Sequence, residues 1–354
     1  MTDVVAQWQG RIRDAASRRS PLRIRGGGTK DFYGEAPAGE VLDTRELTGV
    51  VDYDPTELVI TARAGTPLAE IERVMGERGQ MLAFEPPHFG PHATLGGAIA
   101  AGLAGPRRPY AGAPRDVVLG VRMLDGQGTE LGFGGRVMKN VAGFDVSRVM
   151  AGAMGTLGIL LDVSLKCLPL PRREASFVLD ASPAEAIRRM NEWSTKPFPI
   201  SATCHCRNRI HVRLSGAAPA IDSAARAIGG TPLDNPAPFW EAVREQTLPE
   251  FVDATELWRL SVRSTAPHLD IDATQVIEWG GALRWVASST PLDAQRLRTW
   301  AAEQGGHATL FRAERKSVGV FQPLPAPIAE IHRRLKAAFD PSGVLNPGRL
   351  YPDV

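Results

Sequence analysis

Apolar residues at Val4, Trp8, Ile12 and Ala15 or Ala16 fall on one side of a helix over residues 4–18. Leu22-Arg23-Ile24-Arg25 then alternates apolar and basic side chains, the pattern of a half-buried strand. Short strands are expected at 41–43, 49–53 and 57–62, the last rich in β-formers. Gly65-Thr66-Pro67 opens a helix over 67–78, with Thr66 placed to cap it, Pro67 in its first turn and Gly79 as its stop. Residues 84–114 are the longest irregular region, dense in Gly and Pro, with one short small-residue helix inside 93–102. Strands follow at 116–124 and 129–133 around the turn Asp125–Gly128. A helix at 145–151 and a strand at 159–167 lead to Leu168-Pro-Leu-Pro171, which reads as a linker.

Past that linker the texture changes. A strand at 175–180, a helix at 183–194, strands at 200–206 and 209–215 and a helix at 218–228 form a β-α-β-β-α run. Such a run suits an antiparallel sheet with helices on one face. After a helix at 238–246, strands at 256–262 and 282–287, a helix at 291–303 and a strand at 307–312 continue the alternation, as two related halves would. A helix at 326–338 and the tail Asp340–Gly348 close the pattern.

Bulk properties narrow the class. With 354 residues the chain has room for two ordinary domains, and 43% hydrophobic with 23% charged residues is the balance of a soluble globular protein. A formal charge of +2 does not argue for nucleic acid. No stretch approaches the ~18 unbroken apolar residues of a membrane span, and Met1-Thr2-Asp3 lacks the layout of a secretory signal. Three cysteines do not build a disulfide framework.

The candidate chemistry lies in glycines. Arg25-Gly26-Gly27-Gly28-Thr29-Lys30 follows a strand directly. Adjacent residues without Cβ let a ligand lie against the backbone, and a run of N–H groups in a tight turn makes an anion site. The segment is a pyrophosphate cradle or a flexible turn. Thr94-Leu95-Gly96-Gly97 opens the short helix, whose first-turn amides would favour an anion. Gly155-Thr156-Leu157-Gly158 precedes another strand. Three such places suggest one large anionic ligand. Neither a strand-linked G-x-G-x-x-G nor a G-x-x-x-x-G-K-[ST] is present, which disfavours a nicotinamide Rossmann domain and a P-loop NTPase.

These stretches, with Asp116–Gly120, Gly155–Ile159 and the C-terminal Asp340-Pro-Ser-Gly-Val-Leu-Asn-Pro-Gly348, resemble the FAD-binding superfamily of vanillyl-alcohol oxidase and p-cresol methylhydroxylase. Tyr53–Arg63, Gly102–Pro109, Val137–Asp145, Trp279–Trp285 and Gly305–Thr309 look more specifically like the smaller flavin subunits of three-subunit bacterial glycolate oxidases, also called glycolate dehydrogenases. The resemblance implies an α+β fold. A two-lobed FAD-binding domain would cover residues 1–171, an α+β cap domain 172–325, and a helix and tail returning to the flavin 326–354. It implies that Arg25, Gly26, Gly27, Gly28, Thr29 and Lys30 wrap the pyrophosphate. Thr94, Gly96 and Gly97 would line the other side, followed by Gly102, Ala104 and Gly105. Gly155, Gly158 and Ile159 would lie near the adenine or flavin edge, and Asn346 would come from the tail towards the ring. The implied activity oxidises a 2-hydroxyacid such as glycolate to glyoxylate. The implied partners are a larger flavin-containing subunit and an iron–sulfur subunit. The expected location is the cytoplasm, with the inner membrane face reached through partners.

Two departures from the superfamily matter. Where many members carry a histidine that bonds to the flavin, this chain has Thr29, so FAD is expected to be non-covalent. The H-x-G-D-G-N-x-H segment that serves the hydroxyacid site in the larger subunit is absent, so no catalytic residue is assigned. The remaining candidates have plain readings. Cys204-His205-Cys206 lacks the second pair that a tetrahedral metal site needs, and no metal is expected. His307 reads as structural, and Trp279 and Trp285 as core or interface. Arg107 and Arg108 are either an anion clamp or a solvated loop, and Lys139-Asn140 either reaches an active-site mouth or faces a partner.

Overall fold

The computed structural model describes residues 2–135 and 145–353; Val137–Phe144, with Lys139 and Asn140, lies outside the described residues. The fold is α+β. The chain divides into two compact units, one of Met1–Leu103, Ala113–Leu170 and Pro323–Val354, the other of Ala104–Gly112 and Pro171–Gln322.

The first unit begins with helix α1 (Thr2–Arg18). Its Trp8, Ile12 and Ala15 are buried against Leu22, Leu42, Leu124, Ile159 and Leu345, as the apolar spacing requires. Strand β1 (Leu22–Arg25) pairs in parallel with β2 (Glu40–Asp43). The tail lies on the other side of β1, where Leu22 N donates to Val344 O at 2.7 Å and Asn346 N donates to Leu22 O at 2.9 Å. Strands β3 (Val50–Asp54), β4 (Val59–Arg63), β6 (Val118–Leu124), β7 (Glu130–Gly134) and β8 (Ile159–Lys166) form an antiparallel sheet in the order β3-β4-β8-β6-β7. Central β8 is mostly buried along its length, which explains its near-continuous apolar sequence. Strand β5 (Gln80–Met81) pairs with β9 (Leu168–Pro169), so half of the expected linker belongs to a sheet. Helix α2 (Leu68–Gly76) starts without the expected cap. The Thr66 hydroxyl accepts instead from Gly49 N at 2.9 Å, drawn to the entry of β3. Helix α3 (Leu95–Ala101) is capped by Thr94 and stopped by left-handed Gly102.

The C-terminal helix Ala326–Phe339 is anchored by one buried cation. Lys336 Nζ donates to Thr156 O at 2.8 Å and Leu345 O at 2.7 Å, and pairs with Asp340 Oδ2 at 2.9 Å. Asp340 Oδ2 also accepts from Leu345 N at 2.7 Å. This ion pair, almost fully removed from water, sets the direction of the tail.

The second unit is one eight-stranded sheet built from β10 (Arg173–Asp180), β11 (Ile200–Cys206), β12 (Arg209–Gly216), β13 (Thr231–Pro232), β14 (Glu256–Ser261), β15 (Thr274–Glu278), β16 (Leu283–Ser288) and β17 (His307–Ala313). Their order is β13-β10-β12-β11-β15-β16-β14-β17. Each half has the same internal order read outwards from the centre, and the halves meet where β11 pairs with β15. Helices α4 (Pro183–Ser194) and α5 (Ala218–Ile228) pack on the first half, and α6 (Ala294–Glu303) packs on the second. In the second half the position of α4 is taken by the segment between β14 and β15. Strand β15 escapes the sequence pattern, because Thr274-Gln275 is polar and Trp279-Gly280-Gly281 directly after it reads as a turn.

Candidate functional site

Strand β1 ends at Arg25 and delivers the chain into Gly26-Gly27-Gly28. Glycine is required here for space. A Cβ on Gly27 would lie 1.5 Å from His92 O, and one on Gly26 would lie 2.5 Å from Thr94 Oγ1. Gly28 is left-handed, with φ +72, and its Cβ would meet the Arg25 guanidinium at 2.0 Å. Among the described residues, the N–H groups of Gly26, Gly27, Gly28 and Thr29 donate to no protein acceptor. Four consecutive amides without acceptors form a cradle for an anion.

That loop lines a groove together with Arg23, Arg25, Lys30, Asp31, Thr94, Gly97, Ala100, Met154, Asn346 and Arg349. An adjoining hollow shares Gly26, Gly97, Asn346 and their neighbours, and adds Ala64, Gly96, Gly155, Gly158 and Leu160. The three glycine-rich stretches of the sequence therefore meet along one groove. Its charge is strongly positive: four cationic side chains line the first part against the single carboxylate of Asp31. Arg23 Nη2 and Arg25 Nε both pair with Asp31 Oδ2, at 2.6 and 2.7 Å. Lys30 Nζ donates to His88 O at 3.3 Å.

Two residues of the tail complete the wall. Asn346 Oδ1 accepts from Ile24 N at 2.8 Å, and its Nδ2 donates to Met154 O at 2.7 Å. Both ends of this side chain are committed to fastening the tail between β1 and the loop at Met154. Arg349 is buried and donates to Asp31 O at 3.0 Å, to Lys30 O at 3.4 Å, and to the carbonyls of Tyr33 and Glu35. It holds the turn after the glycine loop by its backbone. The sequence pattern missed Arg349, whose partners are all carbonyls; its place three residues after Asn346 is the only hint.

Other expected site residues lie elsewhere. Gly102 caps α3, and neither it nor Ile159 lines the groove; the Ile159 side chain is fully buried in the α1 core. Ala104 and Gly105 fall in the second unit, where Gly105 O accepts from Trp279 Nε1 at 3.1 Å. The first-turn amides of α3 do not await a ligand. Leu95 N donates to Thr66 O at 2.9 Å, Gly96 N to Ala64 O at 2.7 Å, and Gly97 N to Thr94 Oγ1 at 3.3 Å. Gly96 and Gly97 supply close approach instead of donors, since a Cβ on Gly96 would meet Ala64 Cβ at 2.8 Å.

In the second unit Arg107 is buried, paired with Glu174 and 3.4 Å from Ser215 Oγ, so it is part of the sheet's polar packing. Trp279 and Trp285 are core residues, the latter donating to Glu278 Oε1 at 2.7 Å. Cys204, His205 and Cys206 are buried in β11 and the cysteines are free. Among the described residues no group of His, Cys, Asp or Glu could hold a metal, and no helix is long and apolar enough to cross a membrane.

Comparison with known proteins identifies the family. Residues 4–134 match the family described as FAD binding domain. The chain is 46% identical over 97% of its length to glycolate oxidase subunit GlcE of Escherichia coli, covering 96% of that protein. It belongs to the GlcE family of glycolate oxidase subunits. Glycolate oxidase subunit GlcD of Bacillus subtilis is 28% identical over 46% of this chain and 35% of its own length. A D-lactate dehydrogenase of Archaeoglobus fulgidus is 30% identical over 46% of this chain and 36% of its own length. Among solved structures, alkyldihydroxyacetonephosphate synthase shares the fold, with a TM-score of 0.65 and 14% identity over 97% of this chain and 75% of that one. This GlcE-family chain is thus an FAD-dependent oxidoreductase subunit, and FAD is its cofactor.

Proposed function

We propose that this chain is the FAD-binding subunit of a complex that oxidises glycolate, or a similar 2-hydroxyacid, to the 2-oxoacid and passes the electrons to an iron–sulfur partner. The observation that carries this reading is the row of acceptor-free amides at Gly26–Thr29 inside a cationic groove, in a chain 46% identical to a glycolate oxidase subunit. The residues present fit FAD. The amides of the glycine loop would hold its diphosphate, with Arg23, Arg25 and Lys30 neutralising the charge. Gly96, Gly97, Gly155 and Gly158 leave the room that bulkier residues would fill. Thr29 offers no nucleophile for a covalent link, so the cofactor is held by these contacts alone.

When bound, a flavin accepts a hydride equivalent from a carbon bearing a hydroxyl group. The chain's own part is to grip, orient and screen. Asn346 and Arg349 keep the loop in the shape that presents its amides, so less order has to be imposed on binding.

The missing H-x-G-D-G-N-x-H segment favours a second reading, in which this flavin relays electrons drawn from substrate by the larger subunit. Anaerobic addition of glycolate tests whether the chain oxidises substrate by itself. Bleaching of the flavin in the chain alone supports independent catalysis. Bleaching only after the partners are added supports a flavin that works within the complex, whether it meets substrate or relays electrons. Acid denaturation should release all the flavin; flavin retained on the denatured chain would refute non-covalent binding. Full activity of a complex whose flavin site on this chain is empty would remove the electron-carrying role.

A further inference from the structure

Cys204-His205-Cys206 has no part in the flavin groove, and the second unit gives it a setting of its own. The two cysteines lie two apart on β11, so their side chains share one face of the sheet. Across the ladder Cys204 stands opposite His211 and Cys206 opposite Arg209, on that same face. Cys206 is the last residue of β11, directly before the left-handed Arg207-Asn208 turn. Its Sγ takes a hydrogen bond from Cys204 and lies 3.9 Å from His211 Nδ1. The His211 ring is fixed in turn by stacking on Phe239, with centroids 4.0 Å apart.

Cys206, His211, Phe239 and Glu250 line a cavity of about 430 Å³, with Arg207 and Arg209 at its mouth, where both side chains are largely exposed. A space of that size suits a small molecule. The Glu250 side chain is 6% exposed. Arg207 Nε lies 2.7 Å from its Oε1, yet among the described residues neither carboxylate oxygen accepts a hydrogen bond. A buried carboxylate with unfilled acceptor positions favours an entrant that carries N–H groups. The cysteine beside it is chemically ready. The hydrogen bond from Cys204 and the nearby His211 lower the Cys206 thiol to about 6, against burial and the charge of Glu250. Cys204, which gives that hydrogen bond and is fully buried, is raised and keeps its proton.

We propose that Cys206 is a site of reversible S-thiolation, where its sulfur exchanges with a small peptide disulfide of the glutathione type that enters this cavity. The Cys206 sulfur attacks one sulfur of the disulfide. A new S–S bond joins it to that half, the old S–S bond breaks, and the other half leaves as a thiolate. His211 Nδ1 is placed to take the proton of Cys206 and hand it to the departing thiolate. One thiol and one disulfide enter and one of each leaves, so no further oxidant is required. Glu250 accepts from an amide or ammonium N–H of the entrant, and Cys204 is a positioning residue. Two strand rises of about 3.3 Å put the Cα atoms of the cysteines about 6.6 Å apart, at the far end of what a disulfide spans, so the mixed disulfide persists.

The test treats the full FAD-loaded chain with glutathione disulfide, without denaturant, and reads intact mass and mapped peptides. One adduct per chain should form, on Cys206, and dithiothreitol should remove it. Cys206→Ser should take no adduct while keeping its flavin and melting temperature. His211→Asn should slow the reaction about fivefold to tenfold at pH 6 and move the midpoint of its pH profile up towards that of a free thiol, which a merely structural histidine would not do. Glutathione disulfide should outpace diethyl disulfide, which has no N–H, once each rate is divided by that with free cysteine. If either variant fails to fold, the mapped adduct on the wild-type chain decides alone. An adduct only after unfolding in urea, equal labelling of Cys167 and Cys206, or loss of both β11 thiols with no glutathione retained would each overturn the site. So would an unmoved pH midpoint in folded His211→Asn, or equal normalised rates for the two disulfides.

Discussion

Replacing Gly27 by alanine tests the cradle most directly. The new Cβ would lie 1.5 Å from His92 O and 2.5 Å from its carbonyl carbon, where ordinary contact begins at 3.4 Å. The obstacle is backbone, so no rotamer change relieves it, and the loop must retreat from residue 92. Overpacking of this kind costs about 1–3 kcal/mol of stability. The retreat also displaces the amides of Gly26–Thr29. A hydrogen bond to a charged group contributes about 1.5–3 kcal/mol, so losing two should raise Kd for FAD about 10²- to 10⁴-fold. The assay is flavin content after purification, followed by titration of the apoprotein with FAD. Gly10→Ala is the matched control. It lies within α1 with nothing within 4 Å of the added Cβ, and should keep its flavin while gaining roughly 0.5–1 kcal/mol of stability. If Gly27→Ala emerged with stoichiometric FAD and an unchanged melting temperature, the assignment of this loop would be wrong.

Further outcomes follow from named contacts. Asn346→Ala leaves Ile24 N and Met154 O without their partner, at about 1–3 kcal/mol for each buried group; urea unfolding should show the loss, and a change below about 0.5 kcal/mol would mean the tail is held by something else. Lys336→Met strands the Asp340 carboxylate, which is 1% exposed, and should cost about 3–5 kcal/mol, with Asp340→Asn added to it recovering part; an equally stable single variant would refute the anchor. The Cys206 thiol is lowered to about 6 by the hydrogen bond from Cys204 and by His211, whereas burial pushes Cys167 up to about 12. Alkylation of native protein by iodoacetamide should therefore rise with pH through about 6 and level off above it, at Cys206 and not at Cys167; a midpoint near that of a free thiol would contradict the pairing.

The strands, helices and glycine loops of this chain are legible because they rest on local rules: periodicity, caps and residues without Cβ. What escaped depends on distant backbone. The amides that open α3 looked available, yet their acceptors are carbonyls of Ala64 and Thr66, some thirty residues earlier in the chain. Apart from its place near Asn346, Arg349 carries no signal, because its partners are carbonyls of residues 30–35 that any sequence would supply. Thr66 had the spacing of a cap and was captured by Gly49. Strand β15 has too few apolar positions to announce itself, and is recognised only by its place between β11 and β16.

The clasp between Ile24 and Asn346 joins positions 322 residues apart. During synthesis the glycine loop emerges early but stays unbraced until the segment around Asn346 has followed it. A chain truncated before Asn346 should therefore hold flavin less well than one that includes it, and the yellow colour of the purified protein would report whether that clasp has closed.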